Sequence, residues 1–256
     1  MPDLKQLKTQ FLEYLEIEKN RSPKTTQNYD HYLRRFFDFA KVAQPQQITE
    51  EIIRKFRLHL NRLTDPQGEP LKKVTQNYHI IALRAFLKYL AKREIKTVSA
   101  EKVELGKQEG RQVEFLETNE LERLLNSPQG SDLTSLRDKA ILETLFSTGL
   151  RVAELCSLDR DKIDLKRGEV PVRGKGSKIR LVFFSDQAKK HVEQYLKERT
   201  DADPALFIRI PPKNAFEKYE NLRLTPRSIQ RIIHKHAVRA GIIGKKVSPH
   251  TLRHSL

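Results

Sequence analysis

The sequence predicts a mainly α-helical chain in two parts, the second carrying a small β-hairpin. Three observations point that way. Apolar residues recur three and four apart through four stretches of the first 93 residues, the periodicity lapses between Lys96 and Val113, and apolar–polar alternation appears only at 169–173 and 179–184. A length of 256 residues leaves room for two modest cores.

The first part reads as four helices, at 4–18, 24–42, 50–63 and 75–93, forming one small bundle. Ser22-Pro23 offers an N-cap and a first-turn proline, Thr49 precedes Glu50-Glu51, and Thr75 precedes an apolar face. Asp65-Pro66-Gln67-Gly68 stops the third helix. The tetrapeptide Thr-Gln-Asn-Tyr opens a helix twice, at 26–29 and 75–78, which is too short a match to establish a duplication. Both openings place hydroxyls, amides and a lysine at a helix start. Lys24, Thr25, Thr26, Lys73, Thr75, Gln76 and Asn77, with Arg84 further along, are therefore candidate phosphate or base-edge contacts, although capping explains the Thr and Asn residues equally well.

Charge with Gly106 and Gly110 marks 96–113 as a linker between domains at 1–95 and 114–256. In the second domain, helices are expected at 118–125, 133–147 and 152–158, then strands at 169–173 and 179–184 around the loop Gly174-Lys175-Gly176-Ser177. Helices return at 187–198 and 225–240. A last one opens at Ser248-Pro249 and runs barely two turns to Leu256 with no C-cap signal, which reads as a truncation inside an element.

Composition narrows the function. No run of about 18 apolar residues exists to span a membrane, and the first 20 residues lack the apolar core of a secretory signal, so a cytoplasmic protein is expected. A lone Cys156 excludes an internal disulfide and a thiolate zinc cluster. The net charge is +16, from 49 Lys+Arg against 33 Asp+Glu. Residues 1–96 hold 19 basic and 11 acidic residues and the remainder 30 and 22, so both parts are equally basic. After Glu220 no acid occurs, while Arg223, Arg227, Arg231, Lys235, Arg239, Lys245, Lys246 and Arg253 all follow. Such a segment repels itself unless an anion lies against it, and a nucleic-acid backbone is the commonest such anion.

Three short pieces carry candidate chemistry. In Thr148-Gly149-Leu150-Arg151-Val152-Ala153-Glu154-Leu155, Arg151 opens a turn with Glu154 three residues on, a spacing that also suits a plain surface pair. Lys175 sits at the tip of the glycine-flanked hairpin, where a solvated turn lysine is the ordinary reading. His250, Arg253 and His254 share one face at the start of the last helix, as a surface charge cluster also would. Two sharper motifs fail on the letters. A phosphate-binding loop needs glycine five residues before Gly174 and a hydroxyl after Lys175, whereas the glycine here is Gly168 and Gly176 follows. A zinc-protease helix needs Glu after its first His, whereas Thr251 follows His250 and Arg253 adds a cation.

In this order, together with Arg21-Ser22-Pro23-Lys24-Thr25 near the start, Arg173-Gly174-Lys175-Gly176-Ser177-Lys178, and Ser248-Pro249-His250-Thr251-Leu252-Arg253-His254, the pieces resemble the tyrosine recombinases, in their Xer-type and phage-integrase branch. The resemblance covers nearly the whole chain. It implies a SAM-like four-helix domain and a catalytic domain that clamp duplex DNA from two sides. It further implies that Arg151 and Arg253 bind the scissile phosphate, that His250 donates a hydrogen bond and assists proton transfer, and that Lys175 protonates the departing 5′-oxygen. Glu154 is implied as the partner that holds Arg151, His254 as a helix neighbour, and Arg173, Lys178, Arg227 and Arg231 as further DNA contacts. No metal and no cofactor is implied.

The pattern departs in one place. Family members continue past the His-x-x-Arg helix to a further His or Trp and then the nucleophilic Tyr, whereas the tyrosines here, Tyr14, Tyr29, Tyr32, Tyr78, Tyr89, Tyr195 and Tyr219, all precede His250. The expectation is a nucleoid-associated DNA strand-transfer enzyme represented by a cleavage-incompetent fragment. Its tetramer on paired sites is expected to be impaired without the C-terminal helix that relatives exchange. The alternative is a sequence-specific DNA-binding protein without catalysis, such as a decoy or excision regulator.

Overall fold

A computed structural model describes residues 3–64, 67–107, 115–174, 179–211 and 221–255. The chain divides into two compact units, residues 1–110 and 111–256, each built on its own apolar core.

In the first unit the four expected helices are α1 (Leu4–Ile17), α2 (Pro23–Ala40), α3 (Glu50–Arg62) and α4 (Lys73–Ala91). Their starts follow from side-chain acceptors, since Asp3, Ser22 and Thr49 receive the backbone N–H groups of Gln6, Thr25 and Ile52. Aromatic edges lock the centre, with Phe11 against Phe86 at 5.5 Å and Phe36 against Phe56 at 5.1 Å between ring centroids. Buried among them, His79 donates from Nδ1 to the Thr75 carbonyl at 2.9 Å and accepts from Arg35 at Nε2 at 3.3 Å. Burial, reinforced by the Arg35 charge, holds its pKa below the usual histidine value, so this ring is a neutral tie between α2 and α4.

The expected linker begins as part of this unit. A 3₁₀ turn at Ala100–Lys102 buries Ala100, and Val103 follows it into the core of the four helices. Gly106 and Asn77 then exchange two hydrogen bonds, of 2.9 and 3.0 Å. A three-residue turn with one buried alanine, followed by one buried valine, has no period to read in the sequence.

The second unit comprises α5 (Thr118–Leu125), α6 (Leu133–Thr148), α7 (Val152–Cys156), β1 (Glu169–Arg173), β2 (Ile179–Phe183), α8 (Asp186–Lys197), α9 (Pro226–Arg239) and α10 (Pro249–His254). The central α6 buries Ile141, Leu142 and Leu145 and packs along α8. The strands pair antiparallel from Glu169↔Phe183 to Arg173↔Ile179, turning Val170, Val172 and Val182 inward. Gly149 ends α6 at φ 56°, a left-handed conformation where an L side chain costs about 1–2 kcal/mol. The N–H of Leu116 donates to the Ser255 hydroxyl at 2.9 Å, so the two ends of the unit meet. No described helix is long and apolar enough to cross a membrane.

The acid-free segment needs less external anion than its composition implies. Three of its cations meet carboxylates from other elements: Arg223 with Asp159, Lys235 with Asp138, and Lys245 with Glu120. The sequence hides this compensation because its partners lie about 65 to 125 residues away along the chain.

Candidate phosphate-binding site

The turn after α6 and the first turn of α10 meet at a cavity of about 310 Å³ whose lining includes Arg151, Gln230, Ser248, His250 and Arg253. Arg151 is the N-cap of α7 and Glu154 its third residue, so the carboxylate reaches back to accept the Arg151 backbone N–H at 2.8 Å. The same carboxylate takes the Arg151 guanidinium at 3.0 Å. From β2, Arg180 closes on it with two further bonds of 3.0 and 2.8 Å. Glu154 is only 7% exposed, and burial alone would raise its pKa. The hydrogen bonds from Arg180, the Arg151 N–H and the Arg151 guanidinium outweigh burial and lower it to about 2.

A carboxylate depressed in the folded state stabilises it above the ordinary value of 4.5 and loses that contribution as pH falls through about 2. Over pH 5 to 2, the native chain is therefore expected to lose more stability than Glu154→Gln. Urea unfolding of both proteins at several pH values checks this, and parallel curves would contradict it.

Arg253 is held from the other side. Its guanidinium donates to the Gly149 carbonyl at 2.7 Å, so the turn that presents Arg151 also anchors Arg253. Ser248 caps α10 by accepting the Thr251 N–H, which places His250 in the first turn. His250 is exposed, and its Nε2 lies 2.8 Å from Nε2 of His254. One ring of that pair donates and the other accepts. Two guanidinia and an imidazole around a cavity this small form a receptor for a tetrahedral oxyanion. Among the described residues, no three His, Cys, Asp or Glu side chains are grouped to hold a metal.

Arg151, Glu154, His250, Arg253 and His254 are thus brought together. Lys175 and Lys178 lie outside the described residues, and Arg173 is described only through its backbone pairing with Ile179. Arg227 and Arg231 are exposed on α9, flanking the cavity residue Gln230 in sequence. On the first unit Lys24 and Lys73 are exposed and Arg84 is half-buried. Their neighbours are engaged internally. The Thr25 hydroxyl pairs with Ser22 and the Thr26 hydroxyl donates to the Ser22 carbonyl, Thr75 accepts from His79, and Gln76 donates to the Leu71 carbonyl. Asn77 is buried with its amide bound to Gly106, which removes it as a base or phosphate reader.

Sequence reading missed Arg180, Gln230 and Ser248. Arg180 carried one available signal, an inward position in the alternation of β2 where an apolar residue is the norm. Cys156 is not part of the cavity lining, and burial, opposed by the Arg223 charge, raises its thiol to about 11.

Comparison with known proteins agrees across the chain. Residues 114–256 match the phage integrase family and residues 9–94 the phage integrase N-terminal SAM-like domain. Tyrosine recombinase XerC of Thermodesulfovibrio yellowstonii is 33% identical over 248 residues, covering 96% of this chain and 80% of that protein. The XerC of Bacillus subtilis is 32% identical over 261 residues, covering 100% and 83%. Among solved structures, a lambda integrase tetramer bound to a Holliday junction shares the fold at TM-score 0.73 and 16% identity, over all of this chain and 72% of that one. XerH recombinase bound to its difH substrate does so at 0.68 and 19%, over 97% and 72%.

Proposed function

The chain belongs to the phage integrase family, and from that membership we propose that it serves site-specific recombination of duplex DNA, by strand cleavage and rejoining through a 3′-phosphotyrosyl intermediate. The observation that carries this is the convergence of Arg151, Arg253 and His250 on one cavity, with each arginine fixed from behind by Glu154 or the Gly149 carbonyl. In the reaction a phenolate oxygen attacks the phosphorus, the bond to the 5′-oxygen breaks, and that oxygen leaves with a proton. Arg151 and Arg253 bind the non-bridging oxygens as charge develops on them, His250 donates to the same group, and Lys175 supplies the proton. The later attack of a 5′-hydroxyl reverses these bonds, so the exchange needs no external energy source. A purely DNA-binding role is not favoured, since the relatives matched over most of the chain are recombinases.

We further propose that these 256 residues bind DNA without cleaving it. Among the described residues, no tyrosine lines the arginine cavity. Tyr195 is fully buried with its hydroxyl accepting the Ile208 N–H, five others belong to the first unit, and Tyr219 lies outside the described residues. On this reading the chain acts at the nucleoid, with assembly of a family-like tetramer on paired sites impaired. Two units, 1–110 and 111–256, with basic charge divided between them, fit this reading.

Titrating salt against duplex binding tests it. The logarithm of the affinity should fall linearly with the logarithm of salt, with a slope of several units for a clamp that contacts several phosphates. A nicked substrate that traps covalent intermediates should capture no adduct of these residues. A slope near zero would contradict DNA binding, and an adduct would identify one of the seven tyrosines as a nucleophile.

A further inference from the structure

His254 follows His250 by four residues on the same face of α10, yet it is not among the described residues that line the arginine cavity. Phosphate binding by Arg151, Arg253 and His250 leaves it without a task. Its chain neighbours are nevertheless tied down on both sides. Arg253 donates to the Gly149 carbonyl at 2.7 Å, and the Ser255 hydroxyl accepts the Leu116 N–H at 2.9 Å and donates to the Thr251 carbonyl at 3.1 Å. Between these anchors the imidazole of His254 meets that of His250, Nε2 to Nε2 at 2.8 Å, with the ring planes crossing at 76°. A contact this short between two ring nitrogens has room for one hydrogen only.

Which ring owns that hydrogen decides what His250 can do, because in a neutral imidazole one nitrogen donates and the other accepts. If His250 owns it, the hydrogen is spent on His254, and Nδ1 of His250 presents a lone pair that repels a phosphate oxygen. If His254 owns it, Nε2 of His250 accepts, and the hydrogen of His250 sits on Nδ1, where it can be donated. Either arrangement puts one ring in the less common Nδ1–H form, so intrinsic preference does not choose between them. The anion does. Only the second arrangement lets His250 serve a phosphate in the cavity that it lines.

We propose that His254 is a positioning residue, which donates its Nε2 hydrogen to Nε2 of His250 and so holds His250 as the Nδ1–H tautomer, the form able to donate to phosphate. The proposal rests on the reading of the arginine cavity as a phosphate site. It adds the group that prepares His250 for that site without touching the phosphate itself.

Long-range proton–nitrogen NMR correlations of the full chain, labelled with nitrogen-15 and held at about pH 8, above the ordinary histidine range, read the tautomer of each ring. Comparison with His250→Asn assigns the signals. The native His250 should carry its hydrogen on Nδ1, and His254→Ala should return most of it to Nε2, the form that an unconstrained imidazole prefers. His254→Gln, whose amide donates from a similar reach, should restore the Nδ1–H form. His254→Glu, which only accepts, should hold the hydrogen on Nε2. Inorganic phosphate, titrated against the same signals, should bind His254→Ala more weakly than the native chain, by a factor that follows from the fraction of His250 left as Nδ1–H. A native His250 protonated on Nε2 overturns the proposal. So does an unchanged tautomer, or native phosphate affinity, in His254→Ala. If the tautomers behave as expected but phosphate leaves the native His250 signals unmoved, the phosphate-site reading fails and the pairing of the two rings stands.

Discussion

Replacing Arg151 or Arg253 by alanine is expected to slow formation of the covalent protein–DNA intermediate by about 10²-fold or more, the usual scale for losing one preorganised donor to a developing oxyanion. On the proposal that these 256 residues bind without cleaving, the measurement uses a version of the chain extended by a segment that brings a tyrosine to the cavity. Adducts on a nicked trapping substrate are then counted over time at saturating DNA. The expected size follows from how the guanidinia are held. Arg151 is fixed through its backbone N–H and one terminal nitrogen by Glu154, leaving its other nitrogens for phosphate. Arg253 is fixed through one nitrogen by the Gly149 carbonyl. Neither must reorganise as charge grows on the phosphate, which is the condition under which such donors contribute most. Lysine should not substitute at position 151, because one ammonium cannot hold both Glu154 and a phosphate with two-pronged geometry. Arg180→Ala should produce a smaller loss, because it acts only by releasing one side of Glu154. A rate within about threefold of the native one for either arginine variant would remove that residue from the site.

Most of the fold is legible from the letters because most of it is amphipathic helix. The apolar stripe of α4, through Ile80, Leu83, Phe86, Leu87 and Leu90, is a periodic signal that its burial explains. The β1–β2 pair is equally plain, since alternating valines flank a glycine-rich loop. What the letters hide is local pieces without a period. The 3₁₀ turn at Ala100–Lys102 and the valine after it made the start of an expected linker part of a core, because Ala100 and Val103 were sufficient to anchor it.

The site divides along the same line. Arg151 with Glu154, and His250 with Arg253, are each within a few residues of one another, so helix geometry alone puts each set on one face. That the two sets share a cavity is a tertiary fact, carried by the contact of Arg253 with Gly149 across 104 residues. Arg180 escaped for the same reason, being 26 residues from Glu154 and on a strand. Asn77 shows the opposite error. A polar residue near a helix start looked like a reader of DNA, but burial decided its partner.

The second large effect concerns stability rather than chemistry. Asp138→Ala is expected to destabilise the second unit by about 3–5 kcal/mol, the scale on which breaking a buried ion pair leaves its partner uncompensated. Asp138 is 1% exposed on α6. One oxygen accepts two bonds from Arg137, at 3.0 and 2.7 Å, and the other accepts from His236 at 3.0 Å and Lys235 at 3.3 Å. Burial alone would raise the Asp138 pKa, but the His236 hydrogen bond and the Arg137 charge outweigh it and hold it below the usual carboxylate value. The network reaches further than the pair. His236 also meets the Ser127 hydroxyl, which donates to the Leu124 carbonyl, and Arg137 donates to the Ile208 carbonyl. One carboxylate therefore joins the end of α5, the middle of α6, the last turns of α9 and the segment after α8. Removing it leaves the nearly buried Arg137 without an anion in a medium that solvates charge poorly. Lys235 is 43% exposed and can turn to water, so it adds little to the loss. Asp138→Asn keeps the shape while removing the charge, and should recover only part of the stability. The measurement is hydrogen exchange across α5, α6 and α9 together with urea unfolding, using α4 of the first unit as the internal reference. A cost below about 1 kcal/mol for Asp138→Ala would show that water or a shifted side chain replaces the carboxylate.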